Sequence, residues 1–377
     1  FIHRHGPQRL ARWELLERIV ATGCPPVTSM TLDQGDFPLT GENLAVDGVA
    51  LGYGPRRAAL DQVMVDAAVA AGAELRDGFT VEDVVRDGDR VSGVRGRSRR
   101  GASSVTERAR VTIGADGRNS RLAKTVRAPA YEVVPPLTCW YFAYWSGVPG
   151  NGLEVSVRQR RVIFAFPTND GLFAVFVAWS RAQLPMVRAD IEGQFMTAID
   201  TVPALAERIR NGQREEPFRG AIDLPNFLRK PYGPGWALVG DAGCHKDPYL
   251  ALGVCDAFRD AELLADALDE GFSGRSPLDA ALANYERRRN DATMPDYRQN
   301  LSAARFEPIP TELAQVRAAV RGDQDATSQF LMAIEGMIPR DAFFNPANLQ
   351  TLMEGNGHRP CHARSFPTPL LLDRRDH

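Results

Sequence analysis

Cysteine is scarce in this 377-residue chain, and no two cysteines stand in a Cys-x-x-Cys pair. The five cysteines are widely spaced and odd in number, which argues against a disulfide framework or a zinc knuckle. Histidine is also sparse: only His245 lies in the body of the chain, and the others lie near its ends. The sequence therefore predicts no metal site and favours a reducing compartment such as the cytoplasm.

An excess of one charge and long apolar runs are missing as well. The formal net charge is −2, so no basic field is present to hold a nucleic-acid backbone or an anionic membrane. The longest apolar stretches, such as 172–179, are far shorter than the roughly 20 residues of a membrane helix. With 44% hydrophobic residues the composition is globular. We expect a small-molecule partner and no stable membrane insertion, and the oligomeric state stays open.

Apolar spacing divides the chain into different kinds of segment. Helical spacing predicts helices over 7–19, 61–71, 191–209 and 251–268. Between residues 131 and 230, runs of β-branched and aromatic residues separated by turn residues predict a sheet. At this length the chain is expected to form two or three domains.

Two predicted strands each end in an aspartate next to glycine, one near residue 116 and one near residue 241. A strand that ends in this way presents a carboxylate at the carboxyl edge of a sheet, where α/β folds bind ligands. Small residues there let a cofactor approach the backbone. Each motif alone also fits an ordinary strand and turn. The candidate binding residues are Asp116, Gly117, Gly240, Asp241, Pro248 and Gly253.

A third motif, Tyr53-Gly-Pro-Arg-Arg57, precedes the predicted helix 61–71. In this order the three motifs resemble those of the flavoprotein aromatic hydroxylases, the para-hydroxybenzoate hydroxylase-like FAD monooxygenases, over about residues 10–268. The resemblance implies an α/β fold with a doubly wound, Rossmann-like FAD/NAD(P)-binding domain. It also implies an inserted, mostly antiparallel substrate sheet and a helical C-terminal region.

The resemblance implies domain boundaries. The FAD-binding domain is expected over 1–25, 55–125 and 230–290, and the substrate-binding sheet domain over 26–54 and 126–229. A helical region is expected over 291–355, and a loosely ordered tail over 356–377.

Roles for single residues follow from the same resemblance. Asp241 matches the aspartate that hydrogen-bonds the FAD ribitol, and Asp116 with Gly117 matches a pair near the FAD pyrophosphate and the docking nicotinamide cofactor. Arg57 falls where the family places a long polar side chain against FAD, although an exposed arginine before a helix is the ordinary alternative. Gly253 matches the small residue under the isoalloxazine ring, where the positive end of a helix would face the flavin.

The chain also departs from the family pattern. The run 251–253 is Ala-Leu-Gly where the family usually has Gly-Gln-Gly. The Gly-x-Gly-x-x-Gly phosphate turn is missing, so the chain is expected to be N-terminally truncated, with that motif upstream of Phe1. Trp-x-Trp-x-Ile-Pro is also missing, which disfavours a flavin halogenase.

The leading functional hypothesis is an FAD-dependent monooxygenase that uses NAD(P)H and O₂ on an apolar or aromatic small molecule, with no catalytic residue identified. A flavin-dependent reductase of the prenyl-chain type is an alternative, and a cofactor-free fragment or binding module is another. The aromatic strands at 137–145 and 164–179 suggest an apolar cavity, but packing in the core of a sheet predicts the same residues.

Overall fold

The computed structural model describes residues 1–99 and 103–353. These residues build a small sheet with a parallel strand pair, a large and mostly antiparallel sheet, and a set of C-terminal helices. The predicted α/β fold class is confirmed. The tail predicted over 356–377 lies outside the described residues.

The first part of the chain alternates short helices and strands. The predicted helix 7–19 is two helices, because Glu14 adopts a left-handed conformation with φ of 60°. This turn lets Leu10 and Ile19 pack into the same core cluster. In chain order the elements are α1 (Gly6–Arg12), α2 (Leu16–Val20), β1 (Pro26–Val27), β2 (Met30–Asp33), β3 (Pro38–Gly41), β4 (Ala45–Val46), β5 (Val49–Ala50), β6 (Gly52–Tyr53), α3 (Arg57–Ala70), β7 (Phe79–Asp87), β8 (Arg90–Ser98), β9 (Ser104–Arg108), β10 (Thr112–Gly114) and α4 (Arg121–Thr125).

The middle of the chain supplies long strands and then three helices that pack on them. These are β11 (Ala130–Val134), β12 (Thr138–Ser146), β13 (Leu153–Arg158), β14 (Arg161–Pro167), β15 (Phe173–Ser180), α5 (Leu184–Ala189), α6 (Ile191–Ile199), α7 (Pro203–Asn211), β16 (Gln213–Arg214), β17 (Arg219–Ala221) and β18 (Asn226–Arg229).

The last part returns to the small sheet and is then helical. Its elements are β19 (Tyr232–Gly233), β20 (Trp236–Leu238), β21 (Cys244–His245), α8 (Gly253–Phe272), α9 (Leu278–Ala304), α10 (Thr311–Ala319), α11 (Gln324–Ile334), α12 (Arg340–Phe343) and α13 (Pro346–Met353). None of the helices in the described part of the chain combines the length and apolarity needed to cross a membrane.

The small sheet brings the two aspartate motifs together. Strand β10 pairs in parallel with β20, and Gly114 lies opposite Leu238. Parallel neighbours end at the same edge of a sheet. Asp116 and Asp241 therefore both follow strands at one edge, although they are distant in sequence.

The large sheet has the order β16-β12-β15-β14-β13-β2-β3, with β17 also paired to β12. Its pairs are antiparallel except β13 with β2. Side chains alternate between the faces of a strand, and here both faces are apolar. One face packs against α5, α6 and α7. The opposite face is turned towards the C-terminal helices and the loop before α8.

Replacing a phenylalanine with alanine should cost more stability on one face of the large sheet than on the other. Phe195 is fully buried between the sheet and its helices and stacks on Trp145, so Phe195→Ala is expected to lower the free energy of unfolding by about 3–5 kcal/mol. Phe164 is half-buried on the opposite face, and Phe164→Ala should lower it by only about 1 kcal/mol. Urea denaturation of both variants tests this, and equal losses would contradict it.

Candidate functional site

A cavity of about 1290 Å³ lies between the large sheet, the C-terminal helices and the loop before α8. Its sheet wall is aromatic, because alternate residues on adjacent strands point into it. These residues include Trp140, Phe142, Phe164, Phe166 and Phe176. The sequence left open whether the aromatic strands line a cavity or pack in a core. They do both: one face of the sheet lines the cavity, and the other packs against α5, α6 and α7.

Asp241 forms part of the opposite wall, in a short 3₁₀ turn directly after β20. Its carboxylate is half-buried and has no hydrogen-bond partner among residues 1–99 and 103–353. Gly240 turns the chain there with a φ of 58°, and a Cβ at that residue would lie 3.4 Å from the Cβ of Ala257. The left-handed turn at Gly240 precedes Asp241, whose carboxylate is an unpaired acceptor on the cavity wall.

The N-terminus of α8 lies in the same wall, since Gly253 and Val254 line the cavity. Leu252 at the N-cap provides no side-chain cap, so the partial positive charge of this 20-residue helix is available to a ligand. A Cβ on Gly253 would meet only an Asp241 oxygen, at 3.9 Å. Packing therefore leaves space beside Gly253. Pro248 is exposed and also lines the cavity.

The first aspartate motif contributes differently from the second. Asp116 is exposed and lies outside the cavity lining, where its carboxylate accepts hydrogen bonds from the N–H groups of Arg121, at 2.6 Å, and Leu122, at 3.3 Å. Gly117 follows it with a φ of 74°. Arg118 instead lines the cavity, with a buried Nε that has no partner in the described part of the chain. Sequence reasoning missed Arg118, although it directly follows Asp116 and Gly117 in the chain.

Arg57 lies away from the cavity lining. Its side chain is 73% exposed and pairs with Asp61 one turn later, at 3.0 Å. The neighbouring Arg56 turns inward instead, with its guanidinium over the Tyr144 ring at 4.6 Å and bonded to Glu216.

His245 and Lys246 are the basic groups beside Asp241. The Nδ1 of His245 donates to the carbonyl of Pro225, which leaves Nε2 as an acceptor in the neutral ring. Burial lowers the pKa of His245, so the ring is neutral at pH 7. Burial alone would lower the pKa of Lys246, but attraction to Asp256 outweighs it and raises the pKa, so Lys246 stays charged. His245 can therefore accept a proton, and Lys246 cannot.

Asp247 joins the loop before α8 to the large sheet. It is 2% exposed, and its Oδ2 accepts from the Thr138 hydroxyl at 2.5 Å. That hydroxyl accepts in turn from the indole N–H of Trp140, at 2.7 Å. The Oδ1 of Asp247 accepts from the N–H of Tyr249, at 3.2 Å. Asp247 thereby positions two aromatic residues of the cavity wall, a role that the sequence did not suggest.

Ala251 is strained where the family pattern has glycine. Its φ of 51° is left-handed, and its carbonyl oxygen lies 3.2 Å from Nε2 of His3. We expect Ala251→Gly to raise the free energy of unfolding by about 1 kcal/mol, because glycine adopts this conformation without a steric cost. Ala265→Gly, at an exposed position of α8, is the control and should lower the free energy of unfolding by about 1 kcal/mol. Urea denaturation measures both, and destabilisation by Ala251→Gly would count against this account.

The donor set of the cavity fits FAD and does not suggest a metal. Asp241 offers an unpaired acceptor for ribityl hydroxyls, and Arg118 offers an unpaired donor for a phosphate or a pyrimidine oxygen. Gly253 leaves room at the helix N-terminus. Within residues 1–99 and 103–353, no group of three His, Cys, Asp or Glu side chains could hold a metal ion.

Residues 16–194 match the family described as FAD binding domain. Among curated proteins, a tryptophan 2-halogenase of Chondromyces crocatus is 23% identical over 62% of this chain and 46% of its own length. A digeranylgeranylglycerophospholipid reductase of Methanosarcina acetivorans is 24% identical over 68% of this chain and 63% of its own length. The chain thus spans about half to two thirds of the length of these relatives.

Solved structures share the fold. The myxobacterial chondrochloren halogenase superposes with a TM-score of 0.70 at 22% identity, over 92% of this chain and 85% of that chain. The Pseudomonas aeruginosa protein PqsL, solved with 2-aminobenzoylacetate, superposes with a TM-score of 0.66 at 20% identity, over 88% and 87%. The family match covers just under half of the chain, and the superpositions show that the chain shares the fold of these solved proteins.

Proposed function

We propose that this chain acts as an FAD-dependent monooxygenase that uses NAD(P)H and O₂ to hydroxylate an apolar or aromatic small molecule. One observation carries the proposal: a single cavity joins the wall formed by Asp241 and the α8 N-terminus to the aromatic face of the large sheet. A flavin held at that wall and an apolar substrate on the sheet would share one enclosure.

FAD would supply the redox and oxygen chemistry when bound, and this chain's residues would supply position and shielding. Asp241 would accept hydrogen bonds from the ribityl chain, and α8 would stabilise negative charge on the flavin ring. The aromatic wall would keep water away from the side of the substrate that packs against it. His245, neutral with a free Nε2, is the proposed proton acceptor for a substrate hydroxyl.

Asp116, Gly117, Gly240, Pro248 and Arg57 remain proposed cofactor-binding residues. Gly240 would act through the turn that carries Asp241 to the cavity, whereas Pro248 lies in the next 3₁₀ turn and lines the cavity itself. For Asp116 and Gly117, the edge of the small sheet offers a place for a nicotinamide cofactor to approach. Arg57 is exposed and could contact FAD phosphates only after leaving Asp61.

Two other activities have support among the relatives. The digeranylgeranylglycerophospholipid reductases favour a flavin-dependent reductase, and the halogenases favour an FAD-dependent halogenase. PqsL, described as a probable FAD-dependent monooxygenase and solved with a small aromatic keto acid, supports hydroxylation.

Turnover under labelled oxygen separates these activities. The chain is incubated with FAD, NADPH or NADH, ¹⁸O₂ and a panel of aryl acids that includes 2-aminobenzoylacetate. A product that gains one ¹⁸O atom supports hydroxylation. Halide-dependent halogenation or anaerobic reduction of an alkene would replace the proposal with the corresponding alternative. Failure to retain flavin at all would favour a cofactor-free binding module.

A further inference from the structure

One end of the cavity lies beyond β2 and carries polar groups that the flavin wall does not use. Gln34 follows β2, Arg160 lies in the turn between β13 and β14, and Arg317 lies on α10; all three line the cavity. We call this the β2 end. In the sheet, β2 is four strands from β12, which is about 19 Å at the usual strand spacing.

Arg317 is almost completely buried at the β2 end, with 2% exposure. Its NH1 donates to both carboxylate oxygens of Asp36, at 2.7 and 2.6 Å, and its NH2 donates to the carbonyl of Phe37. The guanidinium also lies 4.1 Å from the centre of the Phe37 ring. Its Nε is buried and has no partner within residues 1–99 and 103–353.

Gln34 also has a buried polar atom without a partner among the described residues, in its case an acceptor. Its side-chain Oε1 is buried without a partner in the described part of the chain. A buried polar atom without a partner costs about 1–3 kcal/mol, so two of them on one cavity wall mark a place where a ligand group belongs. The amide of Gln34 can present either its oxygen or its NH₂ group to that ligand by rotating about its last bond.

The charges at the β2 end favour an anionic group. Asp36 forms an ion pair with Arg317 and neutralises its charge. Asp33 does the same for Arg158, which also donates to the Asp33 carbonyl. Arg160 forms no ion pair with any carboxylate in the described residues. Its guanidinium donates instead to the Ser180 hydroxyl, at 3.4 Å, which leaves one positive charge of the cavity wall uncompensated.

We propose that the β2 end binds a carboxylate on an otherwise apolar substrate. The carboxylate accepts hydrogen bonds from Nε of Arg317 and from the Gln34 amide, and Arg160 balances its charge. The apolar body then lies along the aromatic wall, with its far end directed towards Trp140 and Asp241. This inference rests on the proposed function, because it treats the cavity as the substrate site.

Equilibrium binding of a matched pair of probes tests the proposal without turnover. Pyrenebutyrate and its neutral amide differ only in the head group, and energy transfer from tryptophan reports their binding to the full chain. We expect the carboxylate to bind at least tenfold more tightly. Gln34→Met and Arg160→Gln should each reduce that preference about three- to tenfold, while leaving the affinity for the amide within twofold.

Arg317→Lys keeps a charge beside Asp36 but lacks the Nε donor, so it should also reduce the preference. Arg321→Gln is the control, because Arg321 stacks on Phe37, at 4.7 Å, without lining the cavity. Equal affinity for both probes, or a preference that these variants leave unchanged, would overturn the inference and leave the proposed hydroxylation standing. Failure of either probe to bind would overturn it as well. A preserved carboxylate preference without NAD(P)H-dependent oxygen incorporation would instead overturn the proposed function.

Discussion

Asp241→Ala is expected to weaken FAD binding by about ten- to a hundredfold, measured by quenching of flavin fluorescence. The carboxylate has no hydrogen-bond partner in the described residues and only a charge attraction to His245, so its removal deletes a contact to the ligand without leaving a protein hydrogen-bond donor unpaired. A charge-assisted hydrogen bond is worth about 1.5–3 kcal/mol. Asp241→Asn, which keeps an acceptor oxygen, should lose less.

Asp116→Ala is the matched comparison, because Asp116 follows the adjacent parallel strand. Its carboxylate caps the start of α4, so the variant should lower the free energy of unfolding by about 1 kcal/mol. It should change FAD affinity by less than twofold, since Asp116 lies outside the cavity lining. Equal losses of FAD affinity in the two variants would contradict this division of roles.

Asp247→Ala is expected to lower the free energy of unfolding by about 3 kcal/mol, because it removes the acceptor shared by the Thr138 hydroxyl and the Tyr249 N–H in a buried site. The Trp140 indole should also lose its orientation, since its partner hydroxyl is no longer held. Urea denaturation and the tryptophan fluorescence spectrum measure the two effects. An unchanged stability would show that water replaces the carboxylate without cost.

Asp247 should also make the free energy of unfolding depend on pH. Burial raises the pKa of Asp247 from 3.8 to about 6, so the folded protein binds this proton more tightly than the unfolded chain. The resulting stabilisation is present in full below about pH 4 and is lost as the pH rises through 6. A shift of this size corresponds to about 3 kcal/mol.

Asp247→Asn isolates this contribution. Between pH 4 and 6, the unfolding free energy of the variant should rise relative to wild type by up to about 3 kcal/mol, and the difference should be constant above pH 7. Groups that titrate in both proteins contribute equally, so their effects cancel in the difference between the variant and the wild type. A difference that does not change with pH would mean that Asp247 keeps its ordinary pKa.

Several features of the fold follow directly from the sequence. The strand that ends before Asp116 and the strand that ends before Asp241 were both predicted, and parallel pairing then requires them to end at one edge. The aromatic strands between 137 and 180 form a sheet as their alternation predicts. The helix predicted over 7–19 failed at Glu14, because a single left-handed residue changes the direction of the chain without altering the apolar spacing.

The sequence by itself determined the two aspartate motifs and the aromatic strands, because local spacing and turn residues carry that information, and the α/β fold class followed from the resemblance of the motifs to a known family. Tertiary structure alone decided which aromatic face lines the cavity, since both faces of the sheet are apolar and only the packing of α5–α7 distinguishes them. It also decided that Arg118 rather than Asp116 reaches the cavity, and that Arg317 meets Asp36. Such contacts join residues far apart in the chain, and no local pattern records which buried polar atom is left without a partner.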